Sequence, residues 1–361
     1  VNRKLKISAI YISLPLIAFL ITYLLLQDYF FRPFDESFKA TALFEVAPDK
    51  TFREVAADLE EKSFIRHSLA IRILAKFQKK DRLVMAGEYE LSPSMTPQQI
   101  LDAMVEGKMV LKKVTVKEGS TLKEIGLLLE SAGVVLSSDF NVALQDAKLR
   151  EDLKVPAESL EGYLFPETYR FPRNTPARKV IQMMRGQLDK AWNERWNLRL
   201  LELQLTKHQI LTLASIIEKE SGKIEELPYV SSVFHNRLNR SMRLQSDPTV
   251  IYGIPNFNGN LTKTDLQTPT AYNTYIIPGL PPGPIASPGA NAIKAALYPA
   301  TSEYLFFVGN GEGEHVFSET LEQHNEAVNR FQRGQRDTAP EAPAPPSDSN
   351  MPETSPTPLP E

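Results

Sequence analysis

The sequence predicts an α+β protein: an N-terminal transmembrane helix, then a repeated α+β region, then a larger α+β domain. Three observations predict it. An uncharged apolar run opens the chain, a strand–turn–helix pattern then occurs twice, and the second half mixes helical and extended segments without regular βαβ alternation. The 361 residues suffice for an anchor and two or three folded units.

Residues 7–26, ISAIYISLPLIAFLITYLLL, carry no charge and match the ~20 residues that cross a bilayer as a helix. Arg3, Lys4 and Lys6 precede the run, so residues 1–6 are expected as a cytoplasmic stub and the remainder on the far side of the membrane. The run is long for a signal peptide and no small-x-small cleavage site follows. An uncleaved single-pass anchor is therefore expected. Pro15 is tolerable within such a helix.

After a linker over 27–42, residues 46–59 (VAPDKTFREVAADL) align without a gap with residues 116–129 (VKEGSTLKEIGLLL). Each copy begins with a short extended piece. Thr51 or Thr121 then caps a helix, with Glu54 or Glu124 three residues later completing a capping box. Between the copies, AGEYELSPSMTPQQILDAMVEGK predicts a β-hairpin arm and a helix opening at Thr96–Pro97. The unit resembles LysM-like modules, which bind cell-wall glycan, and this region is placed at 43–150. A glycan contact and a plain spacer both fit the pattern.

A second domain is expected over 151–333. Residues 161–176, EGYLFPETYRFPRNTP, are too punctuated by proline for a helix and too apolar for a free linker, so they predict an ordered loop. Glu167 within it is a candidate carboxylate. Helices are expected over 177–199, 207–221 and 227–238, and strands over 245–252 and 304–308. The segment 334–361, rich in Pro, Ser, Glu and Thr, has almost nothing apolar to bury and predicts disorder.

Composition narrows the chemistry. With 41 basic and 44 acidic residues the formal net charge is -3, which argues against nucleic acid as partner. There is no cysteine, so disulfides, thiolate nucleophiles and cysteine-ligated metals are excluded. The five histidines show no HExxH spacing and no GxSxG occurs, so neither a metalloprotease site nor a serine-hydrolase elbow is expected. No metal and no cofactor is expected.

Residues 211–253 carry the sharpest signal. Ile210, Leu211, Leu213, Ala214, Ile216 and Ile217 leave the predicted helix no polar face, so it should be buried on most sides. Glu218 projects from the same stripe as Leu211 and Ala214. Loss of water there disfavours the charged form and should raise its pKa, as a general acid requires. Glu220, two positions on, points about 200° round the helix and should serve the surrounding polar network. Ser221, at i+3, is within reach of Glu218, and Glu220 and Ser221 are both candidate substrate contacts. Gln245, Asp247, Thr249 and Tyr252 in QSDPTVIY, with Tyr272, Asn273 and Tyr275 in YNTY, combine the amide, hydroxyl, carboxylate and aromatic groups that sugar-binding clefts use. They are candidate substrate contacts, although Asp247–Pro248 is also an ordinary turn starter. Arg237, beside Asn236, is a candidate partner for Asp247 or for a peptide carboxylate. GLPPGPIASPG should be a rigid loop walling the cleft.

The strings SIIEKES, VFHNRL, MRLQSDPTVIYG, TPTAYNTY and GLPPGPIASPG, in this order, resemble the endolytic murein transglycosylase (YceG-like) family over roughly 43–333. Ser287 in IASPG is the one visible departure. The resemblance implies that Glu218 is the catalytic acid and that peptidoglycan glycan strands are the substrate. It also implies a role in ending glycan elongation beside peptidoglycan synthases. The rival expectation is a wall-binding scaffold that recruits synthases and has no need of the Glu218 carboxyl.

Overall fold

The computed structural model describes secondary structure for residues 2–333 and side chains for residues 16–331. The expected tail at 334–361 lies outside these residues, as do the side chains of the stub at 1–6 and of the first part of the expected span. Helix α1 (Asn2–Phe31) opens the chain. From Leu16 to Leu26 its large apolar side chains are all at least half exposed. Among the described residues no helix is long and apolar enough to cross a membrane.

The first unit runs β1 (Ala42–Val46), α2 (Phe52–Glu61), α3 (Ser68–Phe77), β2 (Gly87–Leu91), and α4 (Pro97–Val105) covers it. The second repeats the order with β3 (Leu111–Thr115), α5 (Leu122–Ser131), α6 (Ser137–Leu144), α7 (Ala147–Asp152) and β4 (Thr168–Pro172). Each unit closes as an antiparallel two-stranded sheet, β1 with β2 and β3 with β4. Both capping boxes form, Thr51 with Glu54 and Thr121 with Glu124, so the duplicated sequence nucleates a duplicated helix start. Thr96 and Gln99 cap α4 in the same way, with Pro97 in its first turn.

Two expectations are corrected here. The residues 86–95 do not fold back as a local hairpin: β2 pairs with β1 instead, Ala42 opposite Leu91. The proline-rich segment 161–176 is not all loop, because Thr168–Pro172 supplies the closing strand of the second unit. Strand pairing across 41 or more residues leaves no local signature in the sequence.

Packing divides the chain before the second repeat. Phe44, Leu59, Ile71, Tyr89, Ile100 and Met104 form one core. A second, continuous core runs from Val114 and Ile125 through Phe171 and Ile216 to Leu297. The boundary expected at 150 therefore falls inside one hydrophobic core. The second repeat is built into the following domain rather than strung before it. Buried Glu88 of β2 joins the two units through Arg173 (2.8 Å) and Lys112 (3.0 Å).

The remaining elements are α8 (Ala177–Ala191), α9 (Glu194–Leu203), α10 (Lys207–Glu220), α11 (Leu227–Asn239), α12 (Asp247–Tyr252), α13 (Lys263–Gln267), α14 (Ala290–Leu297), the hairpin β5 (Phe306–Gly309) and β6 (His315–Ser318), and α15 (Leu321–Val328), which runs into a π turn at Asn329–Arg333. The helix expected over 177–199 is two, because Asn193 caps a new start by accepting from the Trp196 amide. The strand expected over 245–252 is helix α12. Gln245 takes a left-handed φ of 49°, which ends the extended path, and Pro248 in the first turn starts a helix despite the β-branched Thr249, Val250 and Ile251.

Candidate active site

Helix α10 is the axis of the site. Every residue from Ile210 to Ile217 is buried, and the helix packs on α14 and α11. Thr206 starts it with a capping box to Gln209. Its last turn carries two carboxylates that face different surroundings.

Glu218 is partly buried, and its Oε2 accepts a hydrogen bond from the Gly289 amide at 2.9 Å. Loss of water raises its pKa above the ordinary range. The Gly289 amide and Lys219 act against that rise, and the negative charge of Glu118 adds to it. Glu118 and Gly119 belong to the β3–α5 turn of the second repeat. Gly119 has φ +75° and lies so close that a Cβ there would stand 3.7 Å from Glu218 Cγ. Two backbone bonds dock this turn on the IASPG string: the Gly119 amide donates to the Ser287 carbonyl and the Ser287 amide to the Ser120 carbonyl, both at 2.8 Å.

The GLPPGPIASPG segment is pinned as a wall. His208 bridges the Pro282 carbonyl (2.8 Å) and the Tyr163 hydroxyl (2.7 Å). Ser215 Oγ accepts from the Ile285 amide at 3.0 Å. Gly162, at φ +78°, fits against Pro284 where a Cβ would stand 2.3 Å from the ring.

Glu220 lies on the other side of α10, as the 200° offset requires. It accepts from Ser246 Oγ, and burial pushes its pKa up to about 7. It borders a cleft of about 500 Å³ with Arg237, Gln245, Asp247, Tyr275 and His315. Gln245 and Asp247 are exposed there, and the Tyr275 hydroxyl donates to Asp247 Oδ1 at 2.6 Å. Arg237 neither neutralises Asp247 nor reaches outward: it donates to the Leu305 and Leu244 carbonyls, both at 2.6 Å.

Several expected substrate contacts are turned inward. The Ser221 hydroxyl donates to Glu226 Oε2 (3.1 Å) and not to Glu218. Fully buried Thr249 bonds the Ser246 carbonyl and the Thr274 hydroxyl. Buried Asn273 holds the carbonyls of Asp265, Leu266 and Thr268. These three fasten loops. Glu167 is exposed and accepts from the Thr168 amide on β4, with no bond to the groups around Glu218.

A buried carboxylate that the sequence reading passed over is Glu161. It accepts from the Leu122 amide at the start of α5 (3.1 Å) and from the Tyr252 hydroxyl (3.3 Å), and burial pushes its pKa up to about 7. Tyr252 and Tyr272 pack together beside it, ring centroids 4.8 Å apart. The signal was present, since Glu161 sits in an apolar and aromatic run just as Glu218 does. The β3–α5 turn and the start of α5 thus touch both carboxylates, Gly119 against Glu218 and Leu122 against Glu161. Among the described residues no group of three or more His, Asp or Glu is arranged to hold a metal ion.

Against known proteins, the YceG-like family profile matches residues 44–330. The chain belongs to the YceG-like family. It is 29% identical over 319 residues to the endolytic murein transglycosylase of Bacillus subtilis (strain 168), covering 83% of this chain and 87% of that one. It is 30% identical over 332 residues to the endolytic murein transglycosylase of Streptococcus pneumoniae serotype 2, covering 82% of this chain and 59% of the relative. A crystal structure of a YceG-like protein from Listeria monocytogenes is similar at 33% identity and a TM-score of 0.56, over 80% of this chain and 99% of that one. The matched region spans both repeats and the α10 site.

Proposed function

We propose that this YceG-like protein is a membrane-anchored endolytic transglycosylase that cuts murein glycan strands, with Glu218 as acid and then base. The name shared by its relatives supports murein lytic transglycosylation. The observation that carries the residue assignment is the surroundings of Glu218: a desolvated carboxyl at the end of a buried helix, with one oxygen oriented by the Gly289 amide. Glycosidic cleavage needs a proton on the leaving oxygen as positive charge develops on the sugar ring. A carboxyl whose pKa is raised holds that proton to higher pH than an ordinary one.

After protonating the bridge oxygen, Glu218 is a carboxylate and takes the proton of the muramic acid 6-hydroxyl as that oxygen attacks its own anomeric carbon. The bond to the leaving sugar breaks, a 1,6-anhydro ring closes and no water is consumed. The attacking group is already attached to the ring, so proximity replaces a positioned water. Tyr252 and Tyr272 offer ring faces to sugars, whereas Gln245, Asp247 and Tyr275 line the separate Glu220 cleft on the other side of α10.

Two further parts of the reading concern placement. The exposed apolar side chains of α1 and the uncharged run at 7–26 support a single-pass inner-membrane anchor with the site in the periplasm. The strand, capped helix, second helix and closing strand common to both repeats, with α7 added in the second, support a LysM-like glycan hold. A cleft tethered to the bilayer meets nascent strands near the synthases that extend them, so cutting there ends elongation.

The test uses the full-length chain in detergent with uncrosslinked murein glycan strands, read by mass spectrometry. Anhydro-ended fragments are expected. Reducing ends would replace the intramolecular attack by hydrolysis, and bound but intact strands would favour the scaffold.

A further inference from the structure

The second repeat brings a carboxylate to Glu218 from 100 positions away in the sequence. The turn at 117–120 is fixed to the IASPG string by the paired backbone bonds between Ser287 and Gly119–Ser120. In that position the Glu118 carboxylate lies over Gly289, where a Cβ would stand 1.8 Å from its Oε1. The same Gly289 donates its amide to Glu218 Oε2 at 2.9 Å. With standard backbone dimensions, the two contacts set the carboxylate oxygens about 7 Å apart at most. Two-carboxylate glycosidases hold their pairs at about 5–9 Å.

We infer that Glu118 is a positioning residue for Glu218, making the second repeat part of the catalytic unit. Its charge acts on Glu218 across Gly289, and Gly289 lacks the side chain that would separate them. The groups facing Glu218 divide plainly. Glu118, from the β3–α5 turn, favours the protonated acid. Lys219 on the same helix and the Gly289 amide at the start of α14 favour the carboxylate. Lys219 is drawn towards the turn, its Nζ 3.4 Å from the Gly119 carbonyl. Without Glu118 the pull of Lys219 and the Gly289 amide would no longer be opposed by that charge.

The inference rests on Glu218 being the acid of the proposed reaction. Its test compares full-length wild type, Glu118→Gln and Glu118→Asp on uncrosslinked glycan strands across pH, with kcat and KM separated. Removing the charge should lower the Glu218 pKa. The alkaline limb of the rate profile should then move down by about half a pH unit or more, with KM little changed. Glu118→Asp should restore the limb in part. A limb that stays in place in Glu118→Gln overturns the inference, as does a KM change alone. Infrared titration of the Glu218 carboxyl, located by its loss in Glu218→Gln, reads the same coupling without turnover. If wild type fails to cut, the proposed reaction falls, while this titration still decides whether Glu118 acts on Glu218.

Discussion

Gly289 donates its backbone amide to Glu218 and lies directly beneath the Glu118 carboxylate. One residue without a side chain thus joins the helix that carries the acid to the repeat that precedes it. Gly289→Ala should push the Glu118 side chain away, because its Cβ would fall well inside contact distance. The strand-cutting rate should drop roughly tenfold or more through misplacement at the site, with the melting temperature little changed. Unaltered kinetics would mean that the turn shifts without consequence.

Glu220 and Glu161 should make stability depend on pH. Burial raises both to about 7 in the folded state, above the ordinary carboxyl value of the unfolded chain. The folded protein therefore binds more protons than the unfolded one between about pH 4.5 and 7, and stability falls as pH rises through that window. Glu220→Gln keeps an acceptor for Ser246 and should flatten this decline by on the order of 2 kcal/mol. Denaturant midpoints across the window check it, and an unchanged slope would contradict the burial argument.

Glu88 carries the opposite sign. Arg173 and Lys112 hold its carboxyl below the ordinary range. Its contribution is present above the unfolded value and lost as pH falls through the folded one. Glu88→Gln should loosen the first unit against the second at neutral pH. Faster amide exchange in β1, β2 and α4, with α10 and α14 unaffected, is the expected result.

Gly119→Ala should also lower activity. Its φ of +75° is strained for any residue with a Cβ, so the substitution would shift the turn that lies in contact with Glu218 and Lys219. The expected loss is in kcat, with a modest fall in stability. A rate equal to wild type would show that the turn does not shape the site.

Much of this was legible locally. The capping boxes of α2, α4, α5 and α10 follow from side chains three residues apart, and the burial of α10 from its lack of a polar face. The opposite directions of Glu218 and Glu220 follow from helix geometry alone. What could not be read depended on distant pairing. Nothing near Glu118 announces Glu218, and nothing near Thr168 announces β3. In α12, β-branched residues suggested a strand where the Pro248 turn and the Thr249 hydroxyl bond make a helix. Tyrosines, an asparagine and a threonine near the acid looked like sugar contacts. Burial shows that Asn273 and Thr249 hold backbone instead, and exposure is not written in residue type.

The most direct test of the account is the cutting of glycan strands by Glu218→Gln beside wild type, with both proteins shown to be folded by their melting curves. The amide keeps an acceptor for the Gly289 N–H but carries no transferable proton. Loss of anhydro-ended products by a factor of 10³ or more, about 4 kcal/mol of barrier, is the predicted result. Products at a rate near that of wild type would contradict the assignment and move the search for the acid to Glu161 or Glu220.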